Sequence, residues 1–262
     1  LHKAIRRQRQ MCIRDSSTGS VSAQNGTAIY GPESNGKGKL TVTNKSEVKL
    51  EAPTGIYAGF DEVEISGKSK VTSIGSVGMM FVGGQSGATK LHVTGESEYN
   101  LQMKGKAHAL RVNLSKNPSS ILVDQNSKLH LSQATTGASA IVLGNGATLT
   151  MDNGTLITEG KFLKGIYSLG SNSTTTIRNG SHVDVNSIVG TKSDKGQKLI
   201  VTGGTLTYDY KADNTLWPVN EQGDKLTNFL LTKDDAHANF DALSYNGQTC
   251  LLYTSPSPRD CS

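Results

Sequence analysis

Residues 149–157 read LTMDNGTLI, and this short stretch contains the pattern that decides the fold. Two apolar residues, Leu149 and Met151, alternate with polar ones, and a polar turn follows at 152–154. A hydroxyl residue, Thr155, then comes two positions before the apolar Ile157. Alternation with a period of two indicates strands rather than helices. The Asn-Gly pair in the turn tolerates the positive φ of a tight corner.

The same pattern occurs seven times, and successive copies start 23, 28, 30, 28, 26 and 24 residues apart. A period of about 20 to 50 residues is typical of stacked-repeat folds. Each copy has two alternating apolar positions, a turn, a hydroxyl residue and usually another apolar position. The sets are Leu40, Val42, Ser46, Val48; Val63, Ile65, Ser69, Val71; Leu91, Val93, Ser97, Tyr99; Ile121, Val123, Ser127, Leu129; Leu149, Met151, Thr155, Ile157; Thr175, Ile177, Ser181, Val183; and Leu199, Val201, Thr205, Thr207.

A third apolar segment follows in most copies, at 55–57, 79–81, 109–111, 140–142 and 165–167, with an earlier partial copy at 28–30. Three short strands per repeat predict an all-β fold: a single-stranded, right-handed parallel β-helix (β-solenoid) of about seven to eight coils. Each strand would pair with its equivalent about 4.8 Å along the rod. The alternative is an antiparallel β-sandwich, which does not require the same columns to recur at this period.

Both ends of the chain resemble in-frame translations of sequencing-adapter arms, at 6–16 and at 250–260. We therefore expect 1–16 and 250–262 to be adapter-derived and non-native. The parallel β-helix is predicted at 17–210, and the more apolar segment 211–249 is predicted to be a C-terminal β cap or the start of a next module. Open solenoid ends expose unpaired strand edges, which proteins normally cover.

Excluding the ends removes the cysteines and most of the excess positive charge from the composition. All three cysteines, Cys12, Cys250 and Cys261, lie in the ends, so no disulfide or thiol chemistry is predicted for 17–249. Six of the 27 Lys and Arg residues and two of the 22 Asp and Glu residues also lie there, which leaves 21 against 20. This balance does not favour nucleic-acid binding. No stretch approaches the roughly 18 apolar residues of a membrane span, so no membrane insertion is expected.

Over about 25–210, the units at 149–157 and 199–207 and the closing segments at 55–57 and 165–167 resemble the pectate-lyase-like right-handed β-helix superfamily. The similarity is greatest to its non-catalytic adhesive members, which occur as repeated modules in bacterial surface proteins. The resemblance implies a secreted or cell-surface adhesin or stalk module that binds a polysaccharide or host glycoprotein, next to similar modules of one parent chain. Such motifs specify architecture better than activity.

The resemblance also implies what an enzyme of this fold would need. Pectate lyases of the superfamily use calcium-binding aspartates and an arginine base, and the weak calcium candidates here are Asp124 and Asp152. Neither Arg111 nor Arg178 lies in a motif that matches the lyase base. We therefore predict no catalytic residues and no cofactor. The alternatives are a polysaccharide lyase or glycoside hydrolase of the β-helix type, and a pure spacer.

One set of residues predicts a binding surface. The positions that follow the apolar residue of each closing segment are Tyr30, Tyr57, Phe81, Arg111, Val142 and Tyr167. On stacked coils they would form a line along one face, and aromatic rings beside an arginine can stack on sugar rings or anchor a partner. This hypothesis predicts that Tyr57 and Tyr167 are exposed on one face, and finding both in the interior would contradict it. The alternative is that these side chains only cover a sheet edge.

Overall fold

The protein is a right-handed parallel β-solenoid of about seven turns in a computed structural model. The structure describes residues 11–13, 18–31, 38–193, 195–226, 230–231 and 237–241. None of the described residues forms a helix with the length and apolar character needed to span a bilayer. The all-β class, the parallel stacking and the repeat are therefore confirmed, and the antiparallel sandwich is not the architecture.

Each coil contributes one strand to a first sheet, and the strands follow one another along the rod by parallel pairing. These strands are β1 (Met11–Ile13), β4 (Lys39–Val42), β7 (Glu62–Ile65), β10 (Lys90–Val93), β13 (Ser120–Asp124), β15 (Thr148–Asp152), β17 (Thr174–Arg178), β20 (Lys198–Val201) and β22 (Pro218–Val219). β1 lies within 1–16, the end predicted to be non-native, and its backbone pairs with β4.

The second strand of each coil builds the opposite wall, and the third closes the coil. The second strands are β2 (Thr18–Ser22), β5 (Glu47–Glu51), β8 (Lys70–Gly75), β11 (Glu98–Met103), β14 (Lys128–Leu143), β16 (Thr155–Ser168), β18 (His182–Asp184) and β21 (Thr205–Asp209). The third strands are β3 (Thr27–Tyr30), β6 (Thr54–Ala58), β9 (Val77–Phe81), β12 (Leu110–Val112) and β19 (Ile188–Val189). β14 and β16 continue through the bend between the second and third strands, so each supplies both of these strands in its coil.

The interior consists of the predicted apolar columns. In the first sheet Leu40 pairs with Val63, Val63 with Leu91, and the same register continues to Leu199. These side chains are buried, and their strand neighbours point outward. No coil buries a core alone, so each column stabilises the rod through contacts with the coils on either side.

The corner between the first and second strands is the most regular turn of the molecule. Both residues of the predicted turn pairs have positive φ in five coils: Asn44-Lys45, Gly67-Lys68, Gly95-Glu96, Gln125-Asn126 and Asn179-Gly180. The backbone amides also follow the stacking, since Lys45 N–H donates to Gly67 O at 2.8 Å and Lys68 N–H to Gly95 O at 2.9 Å. The recurrent Asn and Gly thus mark a left-handed corner repeated at one place in these five coils.

Two copies of the pattern are shifted by one residue after this corner. Strand pairing places Leu156 beside Leu129, so Leu156 is buried and Ile157 faces outward, contrary to the expected position of Ile157. Leu206 likewise takes the interior position expected for Thr207. A one-residue change of register exchanges the two faces of a strand, so a leucine fills the core in both coils and the residue after it faces outward.

Part of the predicted C-terminal cap, 211–249, lies outside the described residues. Within the described part, β22 continues the first sheet beyond 210, and β24 (His237–Asp241) pairs antiparallel with β21. β23 (Leu230–Leu231) pairs antiparallel with β24. Strand pairing therefore changes from parallel to antiparallel at this end of the second sheet.

Candidate functional site

The outward residues of the third strands lie in register along one face of the rod. Tyr30 pairs with Tyr57, and Tyr57 pairs with the next residue along, Met80. Arg111 lies between Met80 and Val142, and Val142 lies beside Tyr167. We call this set the aromatic column; its members are Tyr30, Tyr57, Met80, Arg111, Val142 and Tyr167.

Phe81 does not belong to the aromatic column, and this corrects the sequence-based prediction. Phe81 is fully buried and pairs with Ala58, whereas Met80 is partly exposed at the outward position. The prediction placed 79–81 level with 55–57, but the structure pairs Ile56 with Met79. Because side chains alternate along a strand, this shift of one residue turns the phenyl ring into the core.

The two tyrosines at the N-terminal end of the column stack on each other. The ring centroids of Tyr30 and Tyr57 are 5.0 Å apart and the ring planes are inclined by 15°. Tyr30 is 63% exposed, and Tyr57 is partly exposed. Among the described residues no third strand precedes β3, so one face of the Tyr30 ring has no further column residue above it.

Tyr167, at the other end, carries a cation on its ring. The ammonium of Lys164 lies 3.5 Å from the centroid of the Tyr167 ring, within the range of a cation–π interaction. Tyr167 is itself partly exposed on the same face as Tyr57. The two ends of the column therefore differ, since one presents a stacked pair of rings and the other a ring with a positive charge.

Arg111 lies between these two ends of the column. Its Nε is buried without a hydrogen-bond partner, and no carboxylate in the described ranges forms an ion pair with its guanidinium. Its neighbour Val142 is fully buried although it faces outward, so the side chains around it close over the strand. Arg178, on the first sheet, contrasts with it because two of its nitrogens donate to Asp152, at 2.8 and 3.0 Å.

His108 lies next to this part of the column. Its Nδ1 accepts a hydrogen bond from the backbone amide of Ser139 at 3.0 Å. Burial, together with the nearby charges of Arg111 and Lys164, lowers the pKa of His108 below its usual value. Three basic side chains, those of Arg111, Lys164 and His108, thus meet around β14.

A second cluster lies on the outward face of the first sheet. Ligand atoms of Glu62, Glu64 and His92 lie within 4.8 Å of one another, and carboxylate and imidazole groups are the kind that bind Zn²⁺. The Lys39 ammonium donates to Glu64 and lies 3.2 Å from a Glu62 oxygen, so a metal ion would have to displace it.

Electrostatics support the view that this cluster is an internal ion-pair network. Burial raises the pKa of Glu64, but hydrogen bonds from Lys39 and Ser66 and the charges of Lys39 and His92 outweigh it and lower that pKa. Burial lowers the pKa of Lys39, and its hydrogen bonds to Glu64 and Glu62 more than compensate, so the pKa is raised. Each group thus holds its partner in the charged form.

The two calcium candidates, Asp124 and Asp152, pair directly across neighbouring strands. They nevertheless have different partners. Asp124 Oδ2 lies 2.9 Å from Nε2 of His92. Asp152 accepts from Arg178 and from Asn179, and these contacts hold the pKa of Asp152 below its usual value. A calcium ion needs six to eight oxygen ligands, and here the two carboxylates are already engaged by nitrogen donors.

Sequence reasoning missed Met80, Lys164 and His108 in the column, and the Glu62–Glu64–His92 cluster. A signal for Met80 was present in the sequence. When Gly78 is aligned with Gly55, Met79 falls at the interior position of Ile56 and Met80 falls at the outward position of Tyr57. His108 and Lys164 share a spacing, since each lies two residues before the apolar residue of its closing segment, and Ser139 occupies the equivalent position in the coil between them.

Comparison of the chain with protein-family models, with curated proteins and with solved structures gives no match.

Proposed function

We propose that this chain is a non-catalytic module of a secreted or cell-surface adhesin, in which a stiff solenoid presents a carbohydrate-binding face. The observation that carries the proposal is the aromatic column: Tyr30, Tyr57, Arg111 and Tyr167 in register on one side of the rod. The partner class is a polysaccharide or the glycan of a host glycoprotein.

The solenoid favours presentation because its strands hold every coil to the next. The column positions from Tyr30 to Tyr167 span five inter-coil steps, or about 24 Å at the spacing of paired strands. A ligand that contacts both ends of the column must therefore be extended, as an oligosaccharide of several units is. The continuous pairing keeps these contacts at fixed distances without a cost in ordering on binding.

The chemistry of the column suits sugar rings. Aromatic faces offer a flat apolar surface with a negative quadrupole, which matches the C–H groups on one face of a pyranose. Tyr30 presents such a surface at 63% exposure, and its hydroxyl can donate to and accept from sugar hydroxyls. Rigid aromatic anchors lose little conformational entropy when they bind a partner.

A glycan array probed with the full chain tests this proposal. The array carries polysaccharides and glycoprotein glycans, and the variants are Tyr30→Ala/Tyr57→Ala and the matched Tyr30→Phe/Tyr57→Phe. We expect the alanine pair to lose binding by about tenfold or more and the phenylalanine pair to keep most of it, because the ring faces make the contact. Thermal unfolding of each variant checks that the rod remains folded.

The outcomes separate the alternatives. Equal binding by the alanine pair and the parent chain would show that the aromatic column is not the binding face. If the parent chain binds no glycan on the array, the adhesin proposal fails and the spacer becomes the better account. Release of shortened or unsaturated oligosaccharides from an array polysaccharide would favour the enzyme instead.

A further inference from the structure

Arg111 lies at a partly buried position of the aromatic column. Its Nε is buried with no partner, and no described carboxylate neutralises it. Burial of this nitrogen removes its water, and within the described residues neither a counter-charge nor a hydrogen bond replaces that water. Arg178 shows the usual arrangement, since its guanidinium is paired with Asp152. A bound anion would give Arg111 the counter-charge that Asp152 gives Arg178.

The surroundings of Arg111 add positive potential. The Lys164 ammonium lies on the Tyr167 ring, and no described carboxylate pairs with it. His108 lies in the same group, but its Nδ1 accepts the Ser139 amide and burial with these two charges lowers its pKa, so the positive charge comes from Arg111 and Lys164. Basic groups gathered on one side of a surface raise the local concentration of anionic ligands and speed their association.

The geometry selects the kind of anion. A guanidinium is planar and donates two parallel hydrogen bonds, which fit the two oxygens of a carboxylate or of a sulfate ester. Arg111 is two inter-coil steps from Tyr167, or about 10 Å along the column. A group bound at Arg111 can therefore belong to the same extended ligand whose rings contact the tyrosines.

We propose that Arg111, with Lys164 and His108 beside it, is an anion subsite of the aromatic column and makes it select carbohydrates that carry carboxylate or sulfate groups. This inference rests on the proposed carbohydrate-binding function. Arg111 supplies the bidentate contact, Lys164 supplies a second positive charge, and the tyrosines contact the sugar rings. The ligand class is an acidic oligosaccharide, either a uronate or a sulfated sugar.

The test uses matched ligands that differ only in charge. Hexasaccharides of several backbones are prepared in three forms: neutral, oxidised to the carboxylate at C6, and sulfated at C6. Binding to the full chain is measured by calorimetry for the parent and for Arg111→Gln, Arg111→Lys and Arg178→Gln. Arg178→Gln removes the same charge from the other sheet, so it is the matched control for the overall electrostatic field.

We expect the parent to bind at least one acidic form about tenfold or more tightly than its neutral counterpart, as charge-assisted hydrogen bonds would give. Arg111→Gln removes that preference, so that this variant binds the acidic and neutral forms of a ligand alike. Arg111→Lys retains part of it, because the charge stays and the second parallel hydrogen bond is lost. The carboxylate and sulfate series show which acidic group is preferred.

Other results overturn the inference. If neutral and acidic forms bind equally, the anion subsite is wrong while the carbohydrate-binding proposal stands. If Arg178→Gln weakens acidic binding as much as Arg111→Gln does, the preference comes from net charge and not from Arg111. If no form binds, both proposals fail. Should Arg111→Gln not fold, Arg111→Lys still decides, since full retention of the preference by lysine contradicts the bidentate contact.

Discussion

The backbone amide of Ser69 donates a hydrogen bond to the hydroxyl of Ser97, 3.1 Å away and one coil further along the rod. Ser46 makes the same bond to Ser69 at 3.0 Å, and Ser97 makes it to Ser127 at 3.1 Å. All four serines are buried. They form a serine ladder that satisfies the backbone amides just after the left-handed corner, where the chain leaves the first sheet.

Replacing Ser97 by alanine should destabilise the rod. The substitution removes the acceptor of the Ser69 amide and leaves that N–H group buried without a partner, at a cost of about 1–3 kcal/mol. Urea denaturation followed by circular dichroism measures the change in the free energy of unfolding. Ser20→Ala, at an exposed position of β2, is the control and should change that free energy by less than about 0.5 kcal/mol. Equal values for the two variants would mean that the ladder does not contribute.

The serine ladder also shows how far the sequence alone predicts the structure. The first-sheet columns and the corners follow from the repeated spacing, because each coil repeats the same local requirement. The ladder is interrupted at Gly154, which takes the position expected for Thr155 and has no hydroxyl. The Ser127 amide therefore donates to the carbonyl oxygen of Asp124, at 3.0 Å, while the Gly154 amide still donates to the Ser181 hydroxyl. A corner shortened by one residue keeps the hydrophobic pattern nearly intact, so only strand pairing reveals which neighbour is buried.

The site was less predictable than the fold for a physical reason. The contacts that define it join residues on different coils, such as His108 with Ser139 and His92 with Asp124, more than 30 positions apart in the chain. Their side chains meet because strands stack in a particular register. Repeat spacing predicts which residues share a column, but it does not predict how side chains in adjacent columns lean towards one another.

Gly75→Ala should destabilise the protein more than an ordinary surface change. A Cβ atom on Gly75 would lie 1.9 Å from the carbonyl oxygen of Ala52 and 3.2 Å from that of Pro53. Both atoms belong to the backbone of the preceding coil, which pairs with β8 and has little freedom to move. We expect a loss of about 3 kcal/mol, at the upper end of the usual cost of overpacking, measured by urea denaturation.

Gly19→Ala provides the matched control for this clash. Gly19 lies on β2, and a Cβ atom there would have no heavy atom within 4 Å. The substitution should leave stability unchanged or raise it by about 0.4–1 kcal/mol, because alanine reduces the entropy of the unfolded chain. A similar loss for both glycines would contradict a specific steric requirement at Gly75.

Thr175→Val should stabilise the rod. Thr175 occupies an interior position between Leu149 and Leu199, and its hydroxyl is buried without a partner. Valine has nearly the same shape and removes the unsatisfied group, so we expect a gain of about 1 kcal/mol in the free energy of unfolding. Thr176→Val, at the partly exposed neighbouring position, should give no such gain. A loss of stability in Thr175→Val would show that the buried hydroxyl is satisfied in solution.

The stability of the protein should depend on pH through His108. In the folded state Nδ1 of His108 accepts the Ser139 amide, and burial together with Arg111 and Lys164 lowers the pKa of His108 below its ordinary value of 6.5. The unfolded chain therefore binds a proton more readily than the folded one. It follows that the contribution of neutral His108 is fully present above about pH 6.5 and is lost as the pH falls through the lower folded-state pKa.

His108→Gln isolates this effect, because glutamine can accept the Ser139 amide but does not titrate. Free energies of unfolding are measured by urea denaturation at intervals from pH 8 to pH 4 for the parent, for His108→Gln and for the exposed-histidine control His182→Gln. Between neutral and acidic pH the parent and His182→Gln should lose more stability than His108→Gln. The carboxylates titrate alike in all three chains, so their contribution cancels in the difference. Parallel curves for the parent and His108→Gln would show that His108 protonates equally well in the folded and unfolded states, and that Arg111 and Lys164 exert no effective field on it.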